Sequence, residues 1–208
     1  MQNPAELPVE PPLLERRRQA TMAEISAVAA DLFLARGAAG TTVASIAAAA
    51  GVSTRTFHRY FATKTDALGP VLQDGLQRYL DAVSAMPATS EADDLVTELV
   101  DALASTLGDP HAARDEALLR LVLSTPELES VWLRMHEECA MAMVPVLAAR
   151  LPGTHDALSL RFLSGSVVMA NRLAVEEWVR AGGDARRHME RSLDLLRRPL
   201  ASTDSATG

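Results

Sequence analysis

Residues 41–64, TTVASIAAAAGVSTRTFHRYFATK, predict two short helices joined by a tight turn. Apolar side chains recur at the spacing of one helical face across residues 43–50, and the Thr42 hydroxyl can cap the first free amides. Gly51 follows where a helix commonly ends in a left-handed residue, and Ser53 is placed to cap a second helix. The pattern indicates a helix, a turn and a helix.

The second helix has two chemically different faces. Phe57 and Phe61 lie four residues apart, so they share a face that we expect to pack inward. The remaining positions are basic or carry hydroxyl groups: Thr54, Arg55, Thr56, His58 and Arg59. A helix with such groups near its N-terminus can enter a DNA major groove, where arginine pairs with guanine and threonine meets a base edge or a thymine methyl.

These residues together resemble the DNA-binding segment of the TetR family of transcriptional regulators. The resemblance is carried by Thr41-Thr42-Val43, Ile46-Ala47, Ala50-Gly51-Val52-Ser53, Thr56-Phe57, Tyr60-Phe61 and Lys64, after an amphipathic helix that ends in Arg36-Gly37. No alternating strand pattern or Asn-Gly hairpin signal occurs in the chain, so we predict an all-α fold of about nine helices with a three-helix helix-turn-helix head. The resemblance implies that the larger helical body binds an effector and forms a dimer. His58 departs from the family, which usually has a tyrosine there, so a phosphate contact at this position would vary with pH.

The DNA contacts are assigned by residue. Base contacts go to Thr54, Arg55 and Thr56. Backbone contacts go to Thr42, His58, Tyr60, Lys64 and the arm Arg16, Arg17 and Arg18, and Arg59 belongs to the same basic surface. The arm would contact phosphate or the minor groove beside the second helix, and the alternative is a solvated helix start.

Charge is distributed unevenly along the chain. The net charge is −7, yet residues 16–64 hold seven basic and two acidic side chains, for a net +5, which leaves −12 for the remainder. This asymmetry favours a basic head that meets phosphate and an acidic body that faces away from it.

Several classes of protein are disfavoured. The sequence has no apolar run long enough to span a bilayer, so we expect no membrane partner. Proline and glutamate stand where a secretory signal needs apolar residues, and the single Cys139 fits a reducing compartment, so we expect a cytoplasmic protein. Catalytic and cofactor motifs are missing, and His136 with Cys139 supplies at most two metal ligands. We expect no enzyme activity, cofactor or metal.

The chain divides into a disordered leader at residues 1–15, a DNA-binding domain at 16–64, an effector-binding and dimerisation domain at 65–199 and a disordered tail at 200–208. Apart from the two-helix unit, helices are predicted at 18–36, from 65 onward, and at 92–107, 111–123, 126–150, 154–180 and 184–198, with Thr125 and Thr154 as caps. Pro70 would lie past the first turn of the helix from residue 65, so a kink or an irregular turn is expected there.

The helix at residues 126–150 carries the candidate effector site. Its residues along one side are Trp132, Met135, His136, Cys139 and Met143. They either pack in the core or line an effector cavity in which His136 is the polar group. Asn171 on the next helix is either a hydrogen-bonding core residue or a ligand contact. The segment RLVLSTPEL, residues 120–128, resembles a body subtype associated with acyl-CoA-like effectors.

The helix at residues 154–180 is apolar on more than one face, so it needs cover from its own body and from a second copy of the chain. The resemblance implies that the last two helices form the dimer, and the final one offers Met189, Leu193, Leu195 and Leu196. We therefore predict a homodimeric, ligand-responsive repressor on a palindromic double-stranded DNA operator. The alternatives are an effector-independent activator or architectural DNA-binding protein and, more remotely, a helical enzyme dependent on His136 and Cys139.

Overall fold

The computed structural model describes residues 12–86, 92–107, 112–151 and 155–197. Within these ranges every regular element is helical, as predicted. The elements are α1 Leu13–Gly40, α2 Val43–Ala49, α3 Thr54–Tyr60, a 3-10 turn at Asp66–Leu68, α4 Gly69–Ala85, α5 Ala92–Leu107, α6 Ala112–Leu123, α7 Pro126–Ala148, α8 Ala157–Ala181 and α9 Ala185–Arg197. The predicted tail and most of the predicted leader lie outside the described residues. The chain forms two compact units, Met1–Val71 and Leu72–Gly208.

The first unit is built on α1, which begins before its predicted start. Leu13 to Arg18 are already helical, so the leader does not extend to residue 15 and the three arginines lie in the first turns of α1. The predicted apolar stripe is buried at Ile25, Ala29 and Phe33. Gly37 breaks the helical geometry with φ 68°, a value that glycine adopts without a Cβ clash.

Small polar side chains fix the ends of the helices in this unit. The buried Thr41 hydroxyl lies 2.9 Å from the Gly37 carbonyl oxygen and 3.2 Å from that of Leu32. The buried Ser26 hydroxyl accepts a hydrogen bond of 3.1 Å from the Val71 amide. These bonds satisfy backbone groups at places where the helical ladder is interrupted.

The prediction for Pro70 was right about an irregular turn but wrong about its position in the helix. The 3-10 turn precedes α4, and α4 begins at Gly69, so Pro70 lies in its first turn. The amides of a first turn have no acceptor within the helix, and a proline there removes no backbone bond.

In the second unit, α8 packs along both α7 and α9, α5 packs on α9, and α6 packs on α7 and α8. The cap of α8 is Asp156, whose carboxylate accepts from the Leu158 and Ser159 amides at 2.9 Å each. The predicted cap Thr154 lies outside the described residues. Thr125 precedes α7 as predicted, but its side chain makes no capping hydrogen bond.

Arg150, just after α7, fixes the end of α4. The residue is 9% exposed, and its guanidinium donates to the Val83 and Met86 carbonyl oxygens at 2.7 Å each, as well as to that of Ser84. The last carbonyls of a helix have no partner within it. One buried cation therefore caps α4 and ties it to the end of α7.

Candidate functional sites

Reciprocal capping and a glycine set the turn between α2 and α3. The Thr42 hydroxyl accepts from the Ser45 amide at 3.1 Å, and the Ser45 hydroxyl accepts from the Thr42 amide at 3.0 Å. Gly51 adopts φ 67°. The Ser53 hydroxyl accepts from the Thr56 amide at 3.0 Å and so caps α3. The predicted caps at Thr42 and Ser53 and the left-handed conformation of Gly51 are confirmed, and the reciprocal bond of Ser45 is an addition that the sequence analysis did not predict.

The orientation of α3 follows from its two phenylalanines. Phe57 is 0% exposed and Phe61 is 5% exposed, as predicted, and their ring centroids lie 5.5 Å apart. With these rings buried, Thr54, Arg55, His58 and Arg59 are exposed, whereas Thr56 and Tyr60 are half-buried. A shallow surface cleft brings together Arg55, Thr56, His58 and Arg59. The predicted basic face thus points to solvent.

A second cleft joins the start of α1 to the end of α3. It is lined by Leu14, Arg17, Arg18, Thr21, Arg59 and Tyr60. The Arg59 guanidinium lies 4.9 Å from the centre of the Tyr60 ring and donates to its hydroxyl at 3.1 Å. Arg18 lies 3.8 Å from the Glu15 carboxylate, and Arg16 is exposed beside them. Cationic groups from both helices meet here, which suits contact with a phosphate backbone.

Lys64 and Thr42 hold the head together. The Lys64 ammonium donates to the carbonyl oxygens of Ala38 and Thr41, at 2.5 Å and 2.9 Å. Thr42 is exposed, and its hydroxyl is engaged in the cap of α2. Sequence reasoning assigned both side chains to the DNA backbone and missed these structural bonds.

All six predicted effector residues are buried in the second unit. Trp132, Met135, His136, Cys139, Met143 and Asn171 are each at most 6% exposed. The Trp132 indole donates to the Glu176 carboxylate at 3.1 Å, and its ring centre lies 4.1 Å from that of His136. The predicted side of α7 is therefore packed against α8.

Glu176 is a feature that sequence reasoning missed. This carboxylate is 4% exposed and also accepts from Arg172 at 3.0 Å and Arg180 at 3.3 Å. The spacing of one acidic and two basic residues, four apart along an apolar helix, was a signal that could have identified it. Two cations and an indole donor compensate for the buried negative charge.

Burial favours the uncharged forms of His136 and Cys139 on α7. It lowers the pKa of His136 from 6.5 to about 4, although the Trp132 carbonyl, 2.9 Å from Nδ1, opposes this shift. Burial also raises the pKa of the Cys139 thiol from 9.0 to about 11. A thiol held in its protonated form is a poor nucleophile. His136 and Cys139 therefore lack the reactive thiolate that the alternative of a helical enzyme would require.

A groove of about 730 Å³ runs along α7, α8 and α9. Of the six predicted effector residues only His136 lines it. Its walls carry exposed apolar side chains, among them Phe162 at 67%, Leu195 at 68% and Met169 at 46% exposure. Such an apolar surface on a folded chain commonly marks an interaction site.

Part of the predicted dimer interface on α9 was wrong. Met189 and Leu193 are buried within their own unit, at 0% and 3% exposure, so they are not free to meet a second copy. Leu195 is exposed, and the Leu196 side chain lies outside the described residues. The outward apolar residues of α8, Phe162, Leu163, Met169 and Leu173, fit the prediction of a two-sided helix.

Among the described residues, no three side chains of His, Cys, Asp or Glu lie where they could jointly hold a metal ion. Nor does any helix of that part of the chain have the length and apolar character needed to span a membrane.

Comparisons with known proteins agree with the arrangement of the head. Residues 21–68 match the family described as bacterial regulatory proteins, tetR family. The HTH-type transcriptional regulator TcmR of Streptomyces glaucescens is 31% identical over 204 residues, which cover 93% of this chain and 90% of TcmR.

Two solved structures show the same fold. One is FadR of Thermus thermophilus, a TetR-family transcriptional repressor in complex with lauroyl-CoA. Its TM-score is 0.60 at 22% identity, with 90% of this chain and 98% of that chain covered. The other is the fatty acid degradation regulator FadR of Bacillus halodurans, with a TM-score of 0.52 at 21% identity, covering 87% of this chain and 96% of that chain.

Proposed function

Because this chain belongs to the TetR family of bacterial transcriptional regulators, we propose that it is a homodimeric, ligand-responsive repressor that binds a palindromic operator. The observation that carries the proposal is the outward basic face of α3, which the buried Phe57 and Phe61 hold in place. The protein acts on double-stranded DNA in the cytoplasm. Its DNA-binding domain is residues 16–64, and its effector-binding and dimerisation domain is residues 65–199.

The first turn of α3 contacts the base edges and so determines which DNA sequence is bound. Thr54 and Arg55 are exposed there, and Thr56 borders the same cleft. Arginine can donate two hydrogen bonds to guanine in the major groove, so Arg55 is the residue that most restricts the sequence bound. His58 and Tyr60, farther along the helix, contact the DNA backbone.

Register on the duplex comes from phosphate contacts on both sides of α3. Arg59, Tyr60 and the arginines of α1, Arg16, Arg17 and Arg18, supply them along the second cleft. Thr42 contacts the backbone beside the start of α2. Lys64 adds its positive charge and holds α1 to the turn before α2.

A second copy of the chain covers the apolar surface of α8 and α9. A single chain exposes large apolar side chains to water on this surface, at Phe162, Met169 and Leu195. A twofold axis through the surface would pair it with the same surface of the second copy. A dimer presents two α3 helices, as a palindromic operator in successive major grooves requires.

An effector binds in the second unit, at the predicted residues Trp132, Met135, His136, Cys139, Met143 and Asn171. The resemblance of residues 120–128 suggests an acyl-CoA-like molecule as one candidate class. The effector shifts the protein between two shapes, and it releases DNA only to the extent that it prefers the shape unsuited to the operator.

The test is selection of bound DNA from a random pool with the full-length protein. We expect an enriched palindrome whose half-sites lie about one helical turn apart. Enrichment of a single unpaired half-site would contradict the dimeric arrangement. Uniform recovery of all sequences would contradict sequence-specific regulation and favour the architectural alternative.

A further inference from the structure

The exposed apolar side chains of α8 are arranged symmetrically along the helix. Phe162 and Met169, at 67% and 46% exposure, lie the same number of positions before and after the peptide bond 165–166. Leu158 and Leu173, at 78% and 40% exposure, flank the same bond farther out, again at equal separations. Successive members are four or seven residues apart, so they share one face of the helix. An antiparallel copy of α8 that crosses at this bond would place each of these side chains beside another apolar one.

The crossing point carries no large side chain. Gly165 and Ser166 are half-buried and line the groove along α7, α8 and α9. A Cβ atom added to Gly165 would meet no other atom within 4 Å. Packing among the described residues therefore does not require glycine here, although glycine weakens the interior of a helix. A close crossing of two helices does favour it, because the side chains at the contact set the distance between helix axes.

Two oppositely charged side chains also line this groove, Glu137 on α7 and Arg161 on α8. Both are exposed, and within the described ranges neither has an ion-pair partner. Arg172, which lines the groove as well, is already paired with Glu176 at 3.0 Å. One acid and one base of the groove are thus left to be paired.

Within one chain, Glu137 and Arg161 lie at different levels of the groove. Helices α7 and α8 are consecutive, joined by a short connection and packed along each other, so they run antiparallel. The hydrogen bond from Trp132 to Glu176 sets their register. Glu137, five residues after Trp132, therefore lies level with about Asn171. Arg161 is ten residues from that level, or about 15 Å at 1.5 Å per residue, which separates the two charges.

We infer that a second copy of the chain crosses α8 antiparallel at residues 165–166, and that Glu137 of each copy pairs with Arg161 of the other. The twofold axis that pairs the apolar residues moves Arg161 of the second copy to the level of about Ala170, one residue from the level of Glu137. The apolar pattern and the charges thus indicate the same axis independently. The inference rests on the proposed dimer and names its register and the residues that select the partner.

The two reciprocal ion pairs determine which chain is accepted as a partner. Opposite charges at the edge of an apolar interface favour the correct complex, whereas like charges brought together there oppose the wrong one. The twofold axis repeats every contact, so one substitution changes two pairs in the dimer. A chain of the same fold with like charges at these two positions is therefore rejected. Glu137 and Arg161 are the specificity-determining residues of the dimer.

The test reverses these charges in the full-length protein and measures the dimer dissociation constant by analytical ultracentrifugation at several concentrations. Glu137→Arg and Arg161→Glu should each raise the constant at least about tenfold. The double variant Glu137→Arg/Arg161→Glu should return it to the value of the wild type. Glu116→Arg and Arg120→Glu are matched controls, because they make the same charge changes at a pair joined at 2.7 Å within α6. Neither control should change the constant.

Mixing the two single variants tests whether the pair forms between copies. Glu137→Arg carries two arginines at the paired positions and Arg161→Glu carries two glutamates, so both ion pairs re-form only in the heterodimer. Native mass spectrometry of the mixture should therefore show an excess of heterodimer over the statistical proportion. A mixture of Glu116→Arg and Arg120→Glu has the same difference in net charge and should show the statistical proportion.

Gly165→Gln tests the crossing point without changing a charge. The added side chain starts in open space in the single chain, so circular dichroism should show unchanged helical content. In the dimer it would keep the two helices apart, and the dissociation constant should rise at least about tenfold. Gly75→Gln is the control, since Gly75 lies on α4 and a Cβ there would make only an ordinary contact, 3.8 Å from the Arg78 guanidinium.

Unchanged dimerisation of both single reversals, or a statistical mixture of the two, would refute the ion pair. A Gly165→Gln protein that dimerises as tightly as the wild type would refute the crossing at this position. Phe162→Asp separates these failures from failure of the proposed dimer. If Phe162→Asp is monomeric while the reversals have no effect, the surface is correct and the register is wrong. A wild type that sediments as a monomer at every concentration would refute the proposed dimer itself.

Discussion

The Lys64 ammonium donates a 2.5 Å hydrogen bond to the carbonyl oxygen of Ala38, near the end of α1, and so ties the segment after α3 to the segment before α2. Lys64→Ala should therefore lower affinity on all DNA sequences and also destabilise the head by about 1–3 kcal/mol. Fluorescence-monitored urea unfolding and binding to random DNA test the two effects. Arg36→Ala, which removes an exposed charge on α1, is the control. Weaker DNA binding with unchanged stability would show that Lys64 acts only through phosphate.

Arg55→Ala should weaken operator binding by about 1–3 kcal/mol and relax the choice of base at one position of each half-site. Its side chain is exposed on α3, so its removal should leave the fold unaffected. Binding constants on the operator, on single-base variants and on random DNA measure this. Arg17→Ala is the comparison variant, because the loss of a phosphate contact should weaken binding to the operator, to its single-base variants and to random DNA by the same factor. An equal loss for both variants on every DNA would refute base reading by Arg55.

The helix-turn-helix could be predicted residue by residue because its determinants are local. Thr42, Gly51 and Ser53 act on backbone groups within a few positions, and the spacing of Phe57 and Phe61 decides which face of α3 is buried. The start of α1 was missed because prolines just before Leu13 read as a leader, whereas Pro12 directly precedes the helix. A proline at a helix start does not break it.

The body was harder to predict because its decisive contacts join distant residues. Arg150 and the α4 carbonyls are 64 to 67 positions apart, and Trp132 and Glu176 are 44 apart. The sequence pattern places apolar residues on α7 and α8 but does not say which polar residue they bury. For the same reason the burial of Met189 and Leu193, predicted for the dimer, depended on packing that no local pattern describes.

Removing the Arg150 cap should destabilise the second unit. Arg150→Ala removes the guanidinium donors of the Val83, Ser84 and Met86 carbonyls, at a cost of about 2–4 kcal/mol in the free energy of unfolding. Arg150→Lys should recover only part of this, because an ammonium cannot reproduce the planar fork of the guanidinium. Arg120→Ala breaks an exposed pair with Glu116 and should cost less than about 1 kcal/mol. Urea unfolding measures the stability of the three variants. If Arg150→Ala and Arg120→Ala lowered the free energy of unfolding equally, Arg150 would not cap α4.

Phe162→Asp should convert the proposed dimer to a monomer without unfolding the chain. The ring is 67% exposed in the single chain, so the substitution changes little within the monomer and buries an unpaired charge only in the dimer. Size-exclusion chromatography with light scattering measures the mass, and circular dichroism checks the helical content. Leu13→Asp, at a residue 55% exposed in the other unit, is the control and should stay dimeric. If the Phe162→Asp protein remained dimeric, the interface would lie on another surface of the chain.

The buried His136 imidazole predicts a loss of stability in mild acid. Burial lowers its pKa from 6.5 to about 4, so as the pH falls the unfolded chain takes up the proton before the folded one. Its contribution to stability is complete above about pH 6.5 and is lost as the pH falls toward about 4, an effect of at most on the order of 3 kcal/mol. Urea unfolding at several pH values across this window measures it.

His136→Gln should flatten the pH dependence of stability in that window, because glutamine does not titrate. His58→Gln is the matched control, since His58 is exposed on α3 and its loss should leave the curve of the wild type unchanged. A curve for His136→Gln that still falls as steeply as that of the wild type would mean that His136 is hydrated in solution.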